Sequence, residues 1–536
     1  MSQQNASAAH LCRGPQLFVD DFLIEKQSGL HRVLHHPDKH PANPLIVPEQ
    51  PFEKRYKYHF GWGVGSVIHD AANRCFRAYW PQAMKNVLYA ESDDGLHWRK
   101  PALERHAYEG RTDNNILLAD HFANSVAFVP DDPEGYGWRM FALGRGKGPQ
   151  LLRSRNGLDW EGRRIAVDMR GSDDACLVYD RFQDRFLLVG KFRTPIGKTI
   201  VNPLTAEPWE IPIRHLRVTH ADRDLSALAP WEGTFLPDET DHASVAGRYP
   251  AIFVEGFLTP WRMKPEFEAA HALADKSGYL DRLTVAPQSG YHHMDFMNMV
   301  ILPYDGLYIG LLQVLNATAH VFDFGAKGSP RADGGPGSDG TMEIQLVCSR
   351  DLAHWVRLGD RLPFLPLGEV GTWDQSMVTP FTSNHIVRDG KIWLYYGGLE
   401  HSHQHYSRWN KPGDYPGENG GIGLATLRED GFISLDASLD GGELLTRPLQ
   451  FRGERLTVNA QATGGEITVE LLDEQGRVLP GFERTQCVPL RESGIRQPVR
   501  WKGAPSRLDL SSQPIRIRFN LSNASLYAFN TGNDDD

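Results

Sequence analysis

The sequence predicts an all-β chain, a five-bladed β-propeller followed by a C-terminal β-sandwich. Three observations predict it. A Ser-x-Asp/Asn-Gly-x-x-Trp motif recurs as Ser92–Trp98, Ser154–Trp160 and, with Leu352 for Gly, Ser349–Trp355. A looser echo runs through Ala425, Asp430, Gly431 and Phe432. Each reads as a strand ending in Ser, a turn that tolerates positive φ, and an aromatic opening the return strand. The second observation is an independent repeat of paired apolar runs around a short turn. The third is a change of texture near Gly441 to short alternating strands, the pattern of a sandwich.

Taken in order, residues 1–16 read as disordered. Leu17–Glu25 reads as the first strand, and the Pro-rich stretch after it as an extended lead-in. The paired runs are Ser66–Trp80, Ser125–Leu143, Ala175–Gly190, Asn298–Leu312 and His385–Gly398. A pair of strands plus a Ser–Asp–Trp turn and its return makes four strands, one propeller blade. Five such units give a propeller over 17–436, with an insertion at 238–288 of partly helical character and a glycine-rich loop at 325–340. Strands over 441–530 form the sandwich, and 531–536 is an acidic tail.

Composition narrows the function. A net charge of −10 opposes non-specific nucleic-acid binding. No apolar stretch is long enough for a transmembrane helix, and the opening lacks the basic start and apolar core of a signal peptide. The 5 cysteines, far apart and without a CxxC pair, read as reduced thiols of a cytoplasmic protein. Neither a nucleic-acid nor a membrane partner is expected, and a homo-oligomer stays open.

In a propeller the first strands of all blades converge on one shaft, so residues opening those strands share a funnel. The first strand offers His59 and Trp62, the second Asn124 and Ser125, the third Asp173 and Asp174. The fourth offers His292, His293 and Asp295, the fifth Trp373, Asp374 and Gln375. Carboxylates meeting in an aromatic-lined polar funnel suit glycosidic chemistry, in which one acid protonates the leaving oxygen and another attacks or activates water. Asp295 and Asp374 are the expected catalytic pair, with Asp174 or Glu343 stabilising charge at the anomeric carbon. Trp62, His292, His293, Trp373, Gln345, His401 and His403 are the expected sugar-binding residues. No cofactor is required. The alternation of His401, His403 and His405 leaves a second reading, a divalent metal held by His401, His403 and Asp295 in a metal-dependent lyase or hydrolase. A third is a non-catalytic glycan-binding propeller.

Several stretches also resemble a known group. LFVDDFLIE (Leu17–Glu25), HPANPLI (His40–Ile46), DNNILL (Asp113–Leu118), DFMNMVILPYDGLYIGLL (Asp295–Leu312), GTWDQSMV (Gly371–Val378), IWLYYGG and IGLATLREDGFISLDA (Ile422–Ala437) are similar to motifs of bacterial proteins related to glycoside hydrolase family 32. So is the tail ELLTRPLQFRGERLTVN. The resemblance spans nearly the whole chain. It implies a five-bladed propeller with a trailing sandwich and a carbohydrate substrate, as in families 32, 43 and 68. Those enzymes place an aspartate on the first inner strand, where this sequence reads HFGWGVGS. The expected function is a glycoside hydrolase-like enzyme, exo-acting on a furanoside or an oligosaccharide end.

Overall fold

The structure is a computed structural model that describes residues 9–11, 14–54, 65–70, 73–82, 86–144, 148–164, 175–201, 208–225, 228–248, 283–286, 293–323, 337–369, 371–381, 385–400, 403, 420–451, 453–504 and 513–532. Among these, strands dominate, and no helix is long and apolar enough to cross a membrane.

The repeated paired runs become antiparallel hairpins. Ser66–Asp70 pairs with Cys75–Gln82, His121–Phe128 with Trp138–Gly144, and Ala175–Asp180 with Arg185–Val201. Each hairpin extends into its own four-stranded sheet. An 11-stranded sheet holds the next two units, joined at the single parallel register Met342↔Met377. Its first half is built on His293–Tyr304, Leu307–Asp323 and Gly337–Ser349. Its second half is built on Met377–Pro380 with Ile386–Arg388, then Lys391–Leu399 and Gly420–Arg428. First strands touch from the first unit to the fourth, the fourth and fifth meet at Met342 and Met377, and the Val67 N–H donates to Phe381 O at 3.0 Å, which brings the fifth unit back to the first. The arrangement is a closed propeller.

The Ser–Asp–Trp turn proves to be a clasp between units. In all three copies the Ser Oγ accepts the N–H three residues on, at 2.9 Å, and the Asp or Asn Oδ1 accepts two further N–H groups. Each Trp Nε1 folds back on the carbonyl three residues before it. Such turns leave that carbonyl's second lone pair available. The Tyr395 hydroxyl of the fifth unit donates to Gly95 O at 2.8 Å, and the Tyr79 hydroxyl of the first unit donates to Gly157 O at 3.1 Å. Arg388 and Arg77 bond the neighbouring carbonyls of Asp94 and Asn156. Residues far apart in sequence are thereby locked at the same place in two consecutive joints.

The C-terminal region forms two six-stranded sheets around an apolar core in which Phe18, Phe519 and Phe529 meet. Here the boundaries read from sequence shift. Ala9–His10 pairs in parallel with Leu449–Gln450 and Leu11 is buried, so the stretch read as disordered is partly captured by a sheet edge. Gln16–Leu17, Ile24–Ser28 and Leu30–Leu34 pair with C-terminal strands, as does Ile433–Ala437. The chain opening thus completes the sandwich before Asp38–Lys39 supplies the outer strand of the fifth propeller unit. Within the insertion Glu239–Arg248 is helical; of the other stretch expected to be helical, 267–283, residues 267–282 lie outside the described residues and Leu283 opens the strand Leu283–Ala286.

Ring closure carries a charge pair. Lys39 Nζ lies 2.6 Å from Asp374 Oδ2, and the Tyr396 hydroxyl donates to the same oxygen at 3.0 Å. Replacing Lys39 with Met leaves a buried carboxylate without its cation. Unfolding free energy should fall by about 2–4 kcal/mol in urea titrations, and an unchanged midpoint would contradict closure by this pair.

Candidate functional site

The strand His293–Tyr304 is buried along its whole length, as its apolar run requires. Polar residues on it are therefore costly unless paired. Met294 and Phe296 enter the main core. Asp295, which is 0% exposed, takes its partners from the third unit. The Arg214 backbone N–H donates to Asp295 Oδ1 at 2.8 Å, and the Arg214 guanidinium bonds Oδ2. His293 Nε2 lies 3.5 Å from Oδ2. Burial by itself pushes the carboxyl upward, but Arg214, His293 and the Arg214 N–H together hold it far below the usual carboxylate range. Arg214 reaches this place because Arg185–Val201 and Pro208–Asp222 form a long hairpin that extends past the paired segment Ala175–Asp180.

His403 joins the group. Its Nδ1 donates to Ser338 O at 2.8 Å, and its backbone N–H donates to Gly340 O at 3.1 Å. Burial, and then the Arg214 charge, lower its pKa to about 3, so the ring is neutral with its lone pair on Nε2. Ser338 Oγ lies 3.3 Å from His293 Nε2. That nitrogen also faces Asp295, so Ser338, His293 and Asp295 do not form a nucleophilic relay, which needs opposite ring nitrogens. Both Asp295 oxygens are engaged by Arg214, and a divalent ion beside them would have to displace a guanidinium. Among the described residues no group of three or more His, Cys, Asp or Glu is placed to hold a metal.

The other expected residues separate. Glu343 is 0% exposed and accepts Gln345 Nε2 at 2.7 Å. Gln345 in turn bonds Arg357, which lies 3.0 Å from Asp241 and 5.0 Å over the Phe296 ring. Asp374 belongs to the ring-closing cluster of Lys39, Tyr396 and Thr372, with Trp373 stacked on Tyr396 at 5.4 Å. Among the described residues it shares no hydrogen-bond or ion-pair partner with Asp295; its own partners are all within the fifth unit and the strand that completes it. Trp62, Asp174, His292 and His401 lie outside the described residues.

Sequence reading passed over Arg214, Ser338 and His242. His242, on the inserted helix, accepts the Met294 N–H at Nδ1, 3.0 Å away, and so anchors the strand between His293 and Asp295. Arg214 carried a usable signal: it is a charged residue set among alternating apolar ones in IPIRHLRV. His215 beside it is 1% exposed, neither ring nitrogen has a hydrogen-bond partner among the described residues, and burial followed by Arg217 lowers its pKa to about 4.

No family model matches the chain, and no curated protein matches it. Solved structures similar to it include glycoside hydrolases and an N-acetylgalactosamine deacetylase from F. plautii, the latter at 12% identity over 75% of this chain and 96% of that one, TM-score 0.35. One is a thermostable family-43 glycoside hydrolase, with 13% identity over 70% of this chain and 92% of that one, TM-score 0.36. Another is the catalytic domain of the Coprinopsis cinerea family-62 α-L-arabinofuranosidase, at 11% identity over 74% and 98%, TM-score 0.37. A third is the Bombyx mori family-32 β-fructofuranosidase, at 9% identity over 93% and 94%, TM-score 0.29.

The buried histidines set a pH dependence. Their folded pKa values lie below the 6.5 of an unfolded ring, so below that pH the unfolded chain binds more protons. Stability should therefore be full above 6.5 and fall as pH drops towards the folded values, by about 1.4 kcal/mol per pH unit for each ring. Chemical unfolding between those limits measures the slope, and His403→Asn should remove one ring's share. A slope that the variant leaves unchanged contradicts the neutral, buried His403.

Proposed function

We propose that the chain is a glycoside hydrolase acting on the end of a furanoside or oligosaccharide, at the mouth formed where the third and fourth units meet. The observation that carries this reading is the Asp295–Arg214–His293 cluster. A carboxylate held ionised by the Arg214 backbone N–H on Oδ1 and the Arg214 guanidinium on Oδ2 cannot serve as proton donor. It can serve as a fixed negative charge facing an oxocarbenium-like transition state, at no reorganisation cost. Neutral His403, which lies within the field of Arg214 and Asp295, is the proposed contact to a sugar hydroxyl. The proton carrier is proposed from the two acids the sequence offers, Asp174 and Glu343; the register sets Glu343 on the sheet face of Val314 and Phe296, opposite that of Asp295, which favours Asp174. Asp374 passes to the ring-closing role. The sequence motifs similar to family 32 relatives support the carbohydrate assignment.

One observation favours a second reading, glycan binding without turnover: both Asp295 oxygens are already engaged. Aryl glycosides and furanose oligosaccharides separate the two. Hydrolysis should be detected, and Asp295→Asn and Asp174→Asn should each lower kcat by about 10²–10⁴-fold, with Glu343→Gln doing so only if Glu343 carries the proton. Asp374→Asn should lower the melting temperature while leaving kcat of the folded fraction near the parent value. Asp174→Asn keeps the test readable if Asp295→Asn, which strands Arg214, fails to fold. Saccharide binding with no hydrolysis by the parent protein establishes the second reading; full activity in both acid variants removes the site.

A further inference from the structure

A cleft of about 660 Å³ opens between the second and third units, and none of its lining residues belongs to the Asp295 cluster. We propose that it binds a neutral saccharide as a second, non-catalytic site. Its size lies in the range of small-ligand sites. One side holds the Arg139–Asp132 pair, 2.9 Å apart with side chains 6% and 5% exposed, a charged pair built into the wall and not a mobile surface contact. Leu151 and Leu152, both nearly buried, give the cleft an apolar surface for the C–H face of a ring. Gly162 on the adjacent strand keeps that surface in place, since a Cβ there would lie 2.0 Å from Leu152 Cδ2.

Two groups supply unused hydrogen-bonding capacity. Arg153 gives Nε to Glu161 at 3.0 Å and NH1 to Glu134 at 3.3 Å, while its NH2 makes no hydrogen bond among the described residues. Asp224 lines the cleft, and its carboxylate has no partner among the described residues. A donor pair and an acceptor pair at one opening match vicinal hydroxyls, each of which both donates and accepts. Charge selects a neutral ligand over an anion. Both guanidinium groups already face carboxylates, Asp132 for Arg139 and Glu134 and Glu161 for Arg153, and Asp224 adds a further negative charge, so an anion would be repelled. The site rests on the carbohydrate reading above but not on hydrolysis.

The test is titration calorimetry of the full chain with xylotriose, arabinotriose and 1-kestose, and with glucosamine as a cationic comparison. At least one neutral trisaccharide should bind at a site that survives Asp174→Asn. The double variant Arg153→Ala/Asp224→Ala, which changes exposed groups, should weaken that site about tenfold or more and leave hydrolysis unchanged. The proposal is overturned if no trisaccharide binds, if every bound trisaccharide is lost in Asp174→Asn, or if binding persists undiminished in the double variant. Binding of glucosamine alone, abolished by high salt, overturns it too, by making the cleft a cation site. Trisaccharide in the cleft with no hydrolysis by the parent protein sinks the glycosidase reading and leaves the cleft standing.

Discussion

Closure of the ring by the chain's own beginning is the constraint on which the other features depend. Asp38–Lys39 pairs with Thr426 and Ala425 to finish the fifth unit, and Lys39 meets Asp374 inside it. Just before, the same segment has given strands to both C-terminal sheets. One continuous run of backbone therefore stitches the sandwich and shuts the propeller. The first part of the chain is thereby paired with the last in both sheets, with Ile24–Ser28 and Leu30–Leu34 as outer strands, and pairing at the outer strands matters because exposed edges are the weak points of β proteins. The sandwich also grips the ring directly: Arg496 reaches Asp430 at 3.1 Å and Glu429 at 3.0 Å, and Tyr304 donates to the same Asp430.

Closure has an electrostatic consequence. Within the closed ring the extended hairpin of the third unit packs against the first strand of the fourth, and so sets Arg214 on Asp295. A buried pair of this kind contributes little net stability compared with apolar packing, yet losing one partner is expensive. Such an arrangement specifies position more than it adds strength. The carboxylate cannot titrate near neutrality, the neighbouring His403 is kept neutral, and the local field is fixed before any ligand arrives. Preorganised charge of this sort is what an active site uses to stabilise a developing cation.

Much of the architecture was legible because repeated local chemistry produces it. The Ser–Asp–Trp turns and the paired apolar runs announce their own hydrogen bonds, and all three turns fold alike. What could not be read was anything set by pairing across hundreds of residues. Ile24–Ser28 and Leu30–Leu34 look like an ordinary opening of the first domain, and only their partners near residue 440 show otherwise. The site divides the same way. Asp295 stands out as a charge at the head of an apolar strand. Its partner Arg214 is 81 residues away, and no local pattern links them. Asp374 looked equivalent to Asp295 because both precede a first strand; Lys39, from the far end of the sequence, pairs with it in the fifth unit instead.

A crystal structure of the chain with a bound oligosaccharide is the most direct test of the central claim, that ring closure assembles a sugar site around Asp295. The account predicts a terminal sugar ring at the junction of the third and fourth units, in contact with His403 or His293, with the Arg214–Asp295 pair intact behind it. A saccharide seated elsewhere while that junction stays closed, or an Asp295 separated from Arg214, would contradict it.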